Sequence, residues 1–236
     1  LLFAPGDPPV LYAALAGRFG WYHPGLFRTA DGGRSWTKAP GELGRVPVYS
    51  LAVVTAPDRV ILYAGTPGGE VEGASAQLTD AAQQAGAQVA AGTYRYATLE
   101  AADLQPGEQV NEDGFGDAAN SVVSTLEVLG GQLYAGTWNN SGAQVWRTGE
   151  GRNWSQFTPA WPPTKTAVLE SQVFGAHLYL GTDDEGGGEL WRTDGTTWEQ
   201  VATGGFGNGN NWGIDVLAVY SDVLYAVAAN NDSGPE

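Results

Sequence analysis

Short apolar segments, separated by turns rich in glycine, asparagine and aspartate, recur along the whole chain. They are rich in aliphatic, β-branched and aromatic residues, and turn residues return every ~8–12 positions, which predicts β-strands. Four kinds of strand follow one another. The first is apolar (48–54, 122–129, 167–174, 214–220), and the second contains a Leu-Tyr pair or its equivalent (11–16, 61–66, 133–138, 178–182, 224–228). The third contains Arg-Thr (26–29, 144–148, 189–193), and the fourth starts at a tryptophan (36–39, 154–157, 198–202).

These strands repeat at fixed spacings. Residues 108–143 align without a gap on 199–234, at an offset of 91 residues. Leu178-Tyr179 repeats Leu133-Tyr134 at about half that offset, 45 residues. A period of roughly 45 residues rich in short strands is typical of propeller blades. The sequence therefore predicts an all-β chain, a β-propeller of four-stranded antiparallel blades with about four and a half blades visible. The blades are bounded approximately at 1–47, 48–120, 121–166, 167–212 and 213–236, the last one incomplete.

The second blade contains an insertion at 67–107. Residues 75–85 are rich in alanine and glutamine, and Ser75 can serve as an N-cap, so a short helix is expected there. Two choices remain open for the third strand of this blade. Residues 86–89 repeat Gly-Ala-Gln-Val of 142–145, and residues 93–97 are the competing choice.

Both ends of the chain carry expectations. The last blade contains only two strands, so we expect the chain to be part of a larger propeller, or to receive a strand donated by a partner. The chain contains no methionine. We therefore expect a processed product or an excerpt of a longer protein, and a removed secretory signal would fit this.

Composition excludes several classes of protein. The chain has 42% hydrophobic and only 16% charged residues, which is typical of a globular protein. Its net charge of −15 repels phosphate backbones, so nucleic acid binding is not expected. There is no cysteine, which excludes disulfides and thiolate metal sites. No apolar run approaches the ~18 residues of a membrane span.

One turn matches a known motif at every defined position. The motif is the Asp-box, Ser/Thr-x-Asp-x-Gly-x-Ser/Thr-Trp, and its residues are Thr29, Asp31, Gly33, Ser35 and Trp36. Residues 148–154 and 193–198 look like shortened copies. The chain thus resembles the BNR (Asp-box) repeat proteins, which include sialidases, xyloglucan-cleaving glycosidases, sortilin-type receptors and photosystem assembly factors. The resemblance implies a structural role for Asp31 in the turn. It also implies a secreted or cell-surface protein of bacterial type.

No catalytic residues are assigned from the sequence. Glycoside hydrolysis needs two carboxylates about 5–10 Å apart, and 26 acidic residues do not single out such a pair. Glu112, Asp113 and Asp117, before a first strand, are the candidates. Three arginines recur at equivalent blade positions, which favours a feature of the blade surface over a carboxylate-binding cluster. They are Arg28, Arg147 and Arg192.

The loops between second and third strands are rich in oxygen ligands. Asp183, Asp184 and Asp232 lie in such loops, which can be ordinary hairpin turns or can hold Ca²⁺. No other cofactor is expected. Aromatic residues outside the recurring strands are the candidate ligand-binding residues, because they can stack on sugars or anchor a protein, although blade packing can equally bury them. They are Trp21, Tyr22, Trp161 and Trp212.

The leading functional hypothesis is a non-enzymatic, extracellular or cell-surface module that binds or scaffolds a protein or a glycan. Regular repeats and the lack of a catalytic constellation favour it. Two alternatives stay open: a glycoside hydrolase of the sialidase or xyloglucanase type, and an assembly factor or accessory subunit whose last blade takes a strand from a neighbour.

Overall fold

The computed structural model describes residues 2–4, 10–16, 24–39, 42–56, 59–67, 93–97 and 108–230. The chain divides into two compact units, Leu1–Val123 and Ser124–Glu236, and the division falls within a strand. The regular secondary structure of the described residues is nearly all β-strand, with single helical turns at Glu42–Gly44, Asp113–Gly116 and Gly204–Gly207.

Four sheets have four antiparallel strands each, in chain order, and a fifth sheet has two. The first unit contains β1 (Leu2–Ala4), β2 (Val10–Leu15), β3 (Gly25–Thr29) and β4 (Thr37–Lys38), then β5 (Ser50–Ala56), β6 (Arg59–Gly65), β7 (Thr93–Ala97) and β8 (Glu108–Gln109). The next two sheets contain β9 (Asn120–Leu129), β10 (Gln132–Asn139), β11 (Val145–Thr148) and β12 (Ser155–Gln156), then β13 (Val168–Phe174), β14 (His177–Thr182), β15 (Leu190–Thr193) and β16 (Trp198–Ala202). The fifth contains β17 (Asn211–Tyr220) and β18 (Val223–Asn230). The predicted all-β class with four and a half four-stranded antiparallel blades is confirmed.

The third strand of the second sheet is β7, which is the competing choice of the sequence analysis rather than 86–89. Its register explains the choice, since Arg95 lies opposite Tyr63 and Tyr94 opposite Ala64. The Gly-Ala-Gln-Val repeat at 86–89 and the helix predicted for 75–85 lie outside the described residues.

One register recurs in all four complete sheets. A tyrosine of the second strand pairs with an arginine of the third, and the next residue of the second strand pairs with an aromatic residue. The tyrosine–arginine pairs are Tyr12–Arg28, Tyr63–Arg95, Tyr134–Arg147 and Tyr179–Arg192. The aromatic pairs are Ala13–Phe27, Ala64–Tyr94, Ala135–Trp146 and Leu180–Trp191.

The core lies between successive sheets within each unit. In the second unit, Tyr134 of the third sheet packs with Val168 and Leu178 of the fourth, and all three are buried. Close packing needs a glycine on the second strand, because a Cβ on Gly181 would lie 2.4 Å from the backbone oxygen of Ile214. Burial of such side chains contributes about 1.5–3 kcal/mol each.

Two loops before first strands share an unusual left-handed turn. Phe115 and Phe206 have φ of 57° and 59°, a region that disfavours residues other than glycine. In each turn a buried asparagine stabilises the backbone: Asn120 Nδ2 donates to Gly114 O and Asn211 Nδ2 to Gly205 O, both at 2.8 Å. Six residues separate donor and acceptor in both copies, so the turn is part of the repeat.

We expect Asn211→Ala to lower the free energy of unfolding by about 1 kcal/mol, because the buried oxygen of Gly205 loses its side-chain donor and keeps only the longer hydrogen bond from Asn208 N (3.3 Å). Urea denaturation measures this, and the exposed Asn210→Ala is the matched control. Equal losses for the two variants would contradict a role of Asn211 in the turn.

Candidate functional site

The Asp-box turn joins β3 to β4 and is held by its own side chains. Asp31 Oδ1 accepts hydrogen bonds from Thr29 Oγ1 (2.7 Å) and from Ser35 N (3.0 Å), and Asp31 Oδ2 accepts one from Ser35 Oγ (2.5 Å). Thr29 Oγ1 also accepts Gly33 N at 3.0 Å. The Ser35 hydrogen bonds, followed by that from Thr29, hold the pKa of Asp31 well below its ordinary value. Trp36 is 41% exposed.

The two shortened copies keep the threonine. The acid is Glu150 in one copy, and in the other it is Asp194, directly after the threonine. Thr148 Oγ1 and Thr193 Oγ1 accept the amides of Gly151 and Gly195, each at 3.0 Å. Asp194 stands next to the threonine, and hydrogen bonds from Thr196 side chain and backbone lower its pKa to about 2. The acid therefore serves the turn in this copy as well.

The repeated arginines are engaged locally. Arg147 Nη1 donates to Gly195 O at 2.7 Å, and its guanidinium lies 3.8 Å from the centre of the Phe157 ring. Arg192 makes two hydrogen bonds to Glu199, at 2.7 and 2.9 Å. The contacts of Arg147 and Arg192 lie within a sheet or between neighbouring sheets.

The loop between β14 and β15 contains Asp183 and Asp184, and both carboxylates accept protein donors. Asp183 Oδ1 accepts the amides of Thr166 and Ala167 at 2.7 Å, and its other oxygen accepts the Thr166 hydroxyl. Within the described ranges, no group of three or more His, Cys, Asp or Glu side chains is placed to hold a metal. Asp232 lies outside those ranges. Calcium binding by these loops stays a prediction.

Lys165 lies between two acids in the same region and is almost completely buried. Its Nζ is 2.7 Å from Asp184 Oδ2 and 3.0 Å from Glu189 Oε2, and its side chain is 1% exposed. Burial alone would raise the pKa of Asp184, but the hydrogen bond from Lys165 and that from the Gly186 amide lower it. Glu189 also accepts Trp191 Nε1 at 2.8 Å, so the ion pairs are tied to the third strand.

The candidate aromatic residues differ in their surroundings. Trp161 packs against the core, its Nε1 donates to Ala143 O at 2.9 Å, and its ring lies edge-on to Trp191 with 6.0 Å between centres. Trp212 is 36% exposed at the start of β17. Trp21 and Tyr22 lie outside the described residues.

Two glutamates on first strands were not singled out by the sequence. Burial raises the pKa of Glu127 to about 7, and the nearby charge of Glu170 adds to this. Burial also raises the pKa of Glu170, with a smaller contribution from Asp215. The signal in the sequence was an acid inside a predicted first strand. The carboxylates that were considered lie elsewhere: Asp113 accepts Gln109 Nε2 at 2.7 Å, and Asp117 caps the amide of Ala119 at 2.9 Å.

The last sheet has an open edge, which we define as the side of β18 at 224–228 that faces away from β17. Among the described residues, no strand pairs there. The large apolar residues of β17 and β18 are unusually exposed: Trp212, Val216, Val219, Tyr220, Val223 and Tyr225 are each 36% exposed or more. Tyr225 is 51% exposed, whereas the equivalent tyrosines of the complete sheets are at most 9% exposed.

A cavity of about 400 Å³ lies beside the open edge. It is lined by Leu224 and Ala226 of β18, Leu190 of β15, and Phe206 and Asn211 of the left-handed turn. Phe206 is 49% exposed, while its counterpart Phe115 is 8% exposed. In every complete sheet the second strand is paired on both sides. In the fifth sheet, the described part of β18 has an unpaired edge and a cavity beside it.

Comparisons with known proteins give no family. No protein-family model matches the chain, and no curated protein matches it significantly. Among solved structures, it is similar to a provisionally named glycoside hydrolase from Parabacteroides distasonis (10% identity, TM-score 0.41, 80% of this chain and 64% of that one). It is also similar to the GH32 β-fructofuranosidase of Bombyx mori (9%, 0.43, 88% and 49%) and to the Trypanosoma rangeli sialidase (8%, 0.40, 98% and 52%).

The chain therefore spans from about half to just under two thirds of the length of these structures. With TM-scores below 0.5, the similarities carry no argument about activity or ligand. The described residues contain no helix that is both long and apolar enough to span a bilayer.

Proposed function

We propose that the chain is a non-enzymatic binding module, and that it accepts an extended polypeptide strand on the open edge of β18. The observation that carries this is the group of large apolar side chains on β17 and β18 that are each 36% exposed or more. Strand addition to a sheet edge is a common mode of peptide recognition, in which backbone hydrogen bonds supply affinity and side-chain pockets supply specificity. A secreted or cell-surface location accords with the resemblance to Asp-box proteins.

The backbone groups that would bind the strand follow from the complete sheets. In these, Thr137 N donates to Gln144 O and Thr182 N to Glu189 O, both at 3.0 Å, so every second amide of the second strand faces the third. Ala228 lies three residues after the tyrosine of its strand, as Thr137 and Thr182 do in theirs, so the three positions correspond. The amides of Leu224, Ala226 and Ala228 therefore face the open edge.

The exposed apolar surface favours a protein over a glycan as the ligand. Isolated exposed apolar side chains are normal, but a group of them on one hairpin is typical of an interaction site. The group includes aliphatic residues such as Val216, Val219 and Val223, which do not stack on sugar rings. Trp212 alone among the described candidate aromatic residues suits a sugar.

Selection from a random dodecapeptide library tests the proposal. We expect peptides that bind the wild-type chain and slow the amide exchange of Leu224, Ala226 and Ala228. Ala226→Pro removes one edge amide, and we expect it to abolish binding, whereas Ala226→Ser retains the amide and should retain binding. Circular dichroism checks that both variants fold. No protecting peptide, together with hits on a glycan array, would overturn strand binding in favour of a glycan.

A glycoside hydrolase is the second candidate, and Glu127 and Glu170 favour it. A glycosidase needs a carboxylic acid that stays protonated near neutral pH beside a second carboxylate. Burial raises the pKa of Glu127 to about 7. For each of the two glutamates, the negative charge of another acid also raises the pKa. Hydrolysis of aryl glycosides that Glu127→Gln reduces ~100-fold or more would support this candidate. Hydrolysis that is absent or unchanged in the variant would remove it.

A further inference from the structure

We infer that Asn208 is a site of spontaneous covalent modification, at which the backbone nitrogen of Gly209 displaces the side-chain amide of Asn208. The reaction goes beyond the proposed function, and its only further reactant is water. Asn208-Gly209 is the single Asn-Gly pair among the 236 residues. It directly follows the left-handed turn of 204–207 and precedes β17.

The reaction balances within these two residues and one molecule of water. Gly209 N attacks Asn208 Cγ, and a bond forms between the two atoms. The Cγ–Nδ2 bond breaks, and Nδ2 leaves as ammonia with the proton that Gly209 N gives up. The product is a five-membered succinimide, and water then opens it at one of its two carbonyl carbons. Opening at Cγ leaves aspartate, whereas opening at the main-chain carbonyl carbon leaves isoaspartate.

The attacking nitrogen is accessible. Gly209 is exposed, and its backbone nitrogen donates to no atom of the residues that the structure describes. Ala118 holds the same place in the turn before the third sheet and is equally exposed, so the exposure is a property of the repeated turn. Glycine also lacks a Cβ, which allows a close approach to its nitrogen.

The carbonyl under attack already has a hydrogen-bond donor. Asn208 Oδ1 accepts Asn210 N at 3.1 Å, which turns the side chain back towards the following amides, as in an Asx turn. The same donor stabilises the negative charge that develops on Oδ1 when Cγ becomes tetrahedral. Asn208 N donates to Gly205 O at 3.3 Å, and Asn208 O accepts Asn211 N at 2.9 Å. The backbone on both sides of the reacting carbon is therefore held in place.

Other exposed asparagines have an occupied attacking nitrogen. For Asn210 this nitrogen is Asn211 N, which donates to Asn208 O. For Asn140 it is Ser141 N, which donates to a neighbouring side-chain oxygen at 2.8 Å. These hydrogen bonds must break before attack, because the attacking nitrogen gives up its proton. We therefore expect Asn208 to react before either of them.

The repeat shows that the turn accepts an aspartate at this position. Asp117 occupies the place of Asn208 in the earlier copy, and its Oδ1 accepts Ala119 N at 2.9 Å. Its φ and ψ are −117° and 107°, against −118° and 103° for Asn208. Isoaspartate would instead route the main chain through Cβ and Cγ. The carbonyl that accepts Asn211 N would then leave the main chain, so this product should open the turn.

Incubation of the full chain at mildly alkaline pH, followed by peptide mass mapping, tests the inference. We expect a gain of about 1 Da at Asn208, and none at Asn140 over the same period. The gain should be faster at higher pH, because the attacking nitrogen must lose its proton. Gly209→Ala should slow it at least ~10-fold, since a Cβ hinders the approach to the nitrogen. That Cβ would lie 3.7 Å from Gly186 O, an ordinary contact, so the variant keeps the fold.

A synthetic peptide of residues 203–214 separates the effect of the fold from that of the sequence. We expect the folded chain to lose ammonia at least as fast as the peptide, because the turn holds the reacting groups together. A folded chain that keeps the amide after the peptide has lost it would overturn the inference. An unchanged rate in Gly209→Ala would also overturn it.

Urea denaturation of the separated products tests their different effects on the turn. Asn208→Asp and the aspartate product should unfold at the same urea concentration as the untreated chain. The isoaspartate product should unfold at a lower concentration, because Asn211 N loses its acceptor in the turn. Equal unfolding of the two products would overturn the inferred opening of the turn.

Discussion

Lys165→Met is expected to lower the free energy of unfolding by roughly 3–5 kcal/mol, because it leaves two acids uncompensated in a buried site. Asp184 and Glu189 are only 16% exposed, and the lysine is 1% exposed. Methionine keeps much of the volume, so the loss reports charge rather than a cavity. Chemical denaturation at neutral pH measures it.

Lys38→Met is the matched control, since Lys38 is the other lysine of the chain and is exposed on β4. We expect a change within about 0.5 kcal/mol for it. Adding Asp184→Asn and Glu189→Gln to Lys165→Met should recover much of the loss, because no unpaired charge then remains. A loss of less than ~1 kcal/mol for Lys165→Met alone would show that the acids are hydrated.

Glu127→Gln is expected to be as stable as the wild type at pH 4 and more stable by about 3 kcal/mol at pH 8. The folded-state pKa of about 7 exceeds the ordinary 4.5, so the neutral form is favoured in the folded protein. The stability of the wild type is fully present below pH ~4.5 and falls as the pH rises towards 7. Glutamine stays neutral and loses nothing over this range.

Unfolding of both proteins between pH 4 and 8 checks the expectation, with the exposed Glu112→Gln as the control. The difference between Glu127→Gln and wild type should grow across the window, whereas that for the control should stay flat. A constant difference would contradict burial as the cause, because it would mean that Glu127 ionises alike in both states.

The all-β class and the repeat could be predicted from the sequence because both depend on local patterns of residues. The Leu-Tyr segments mark the second strands, and the structure has all five of them. The third strand of the second sheet was harder, because Gly-Ala-Gln-Val at 86–89 repeats a neighbouring strand start, whereas pairing with β6 decides in favour of Tyr94-Arg95. Cross-strand register was the better signal, and it also places Arg95 with the three arginines that the sequence had grouped.

The buried charges could not be read in the same way. Lys165 follows two prolines and a threonine, a context typical of an exposed loop, and only the packing of Asp184 and Glu189 around it reveals its burial. Asp183 and Asp184 resemble calcium ligands in sequence, but most of their protein donors come from residues 164–167, nearly twenty positions away. Partners so distant along the chain leave no local pattern.

The exposed apolar side chains of β17 and β18 also affect how the chain behaves in concentrated solution. Exposed apolar patches favour association between identical molecules. Here the net charge of −15 opposes such encounters at neutral pH. Acidification towards the isoelectric point near 4.3 removes this repulsion. On acidification, the chain should therefore begin to associate before its tertiary structure is lost. Raising the ionic strength should move the onset of association to a higher pH, because salt screens the remaining repulsion.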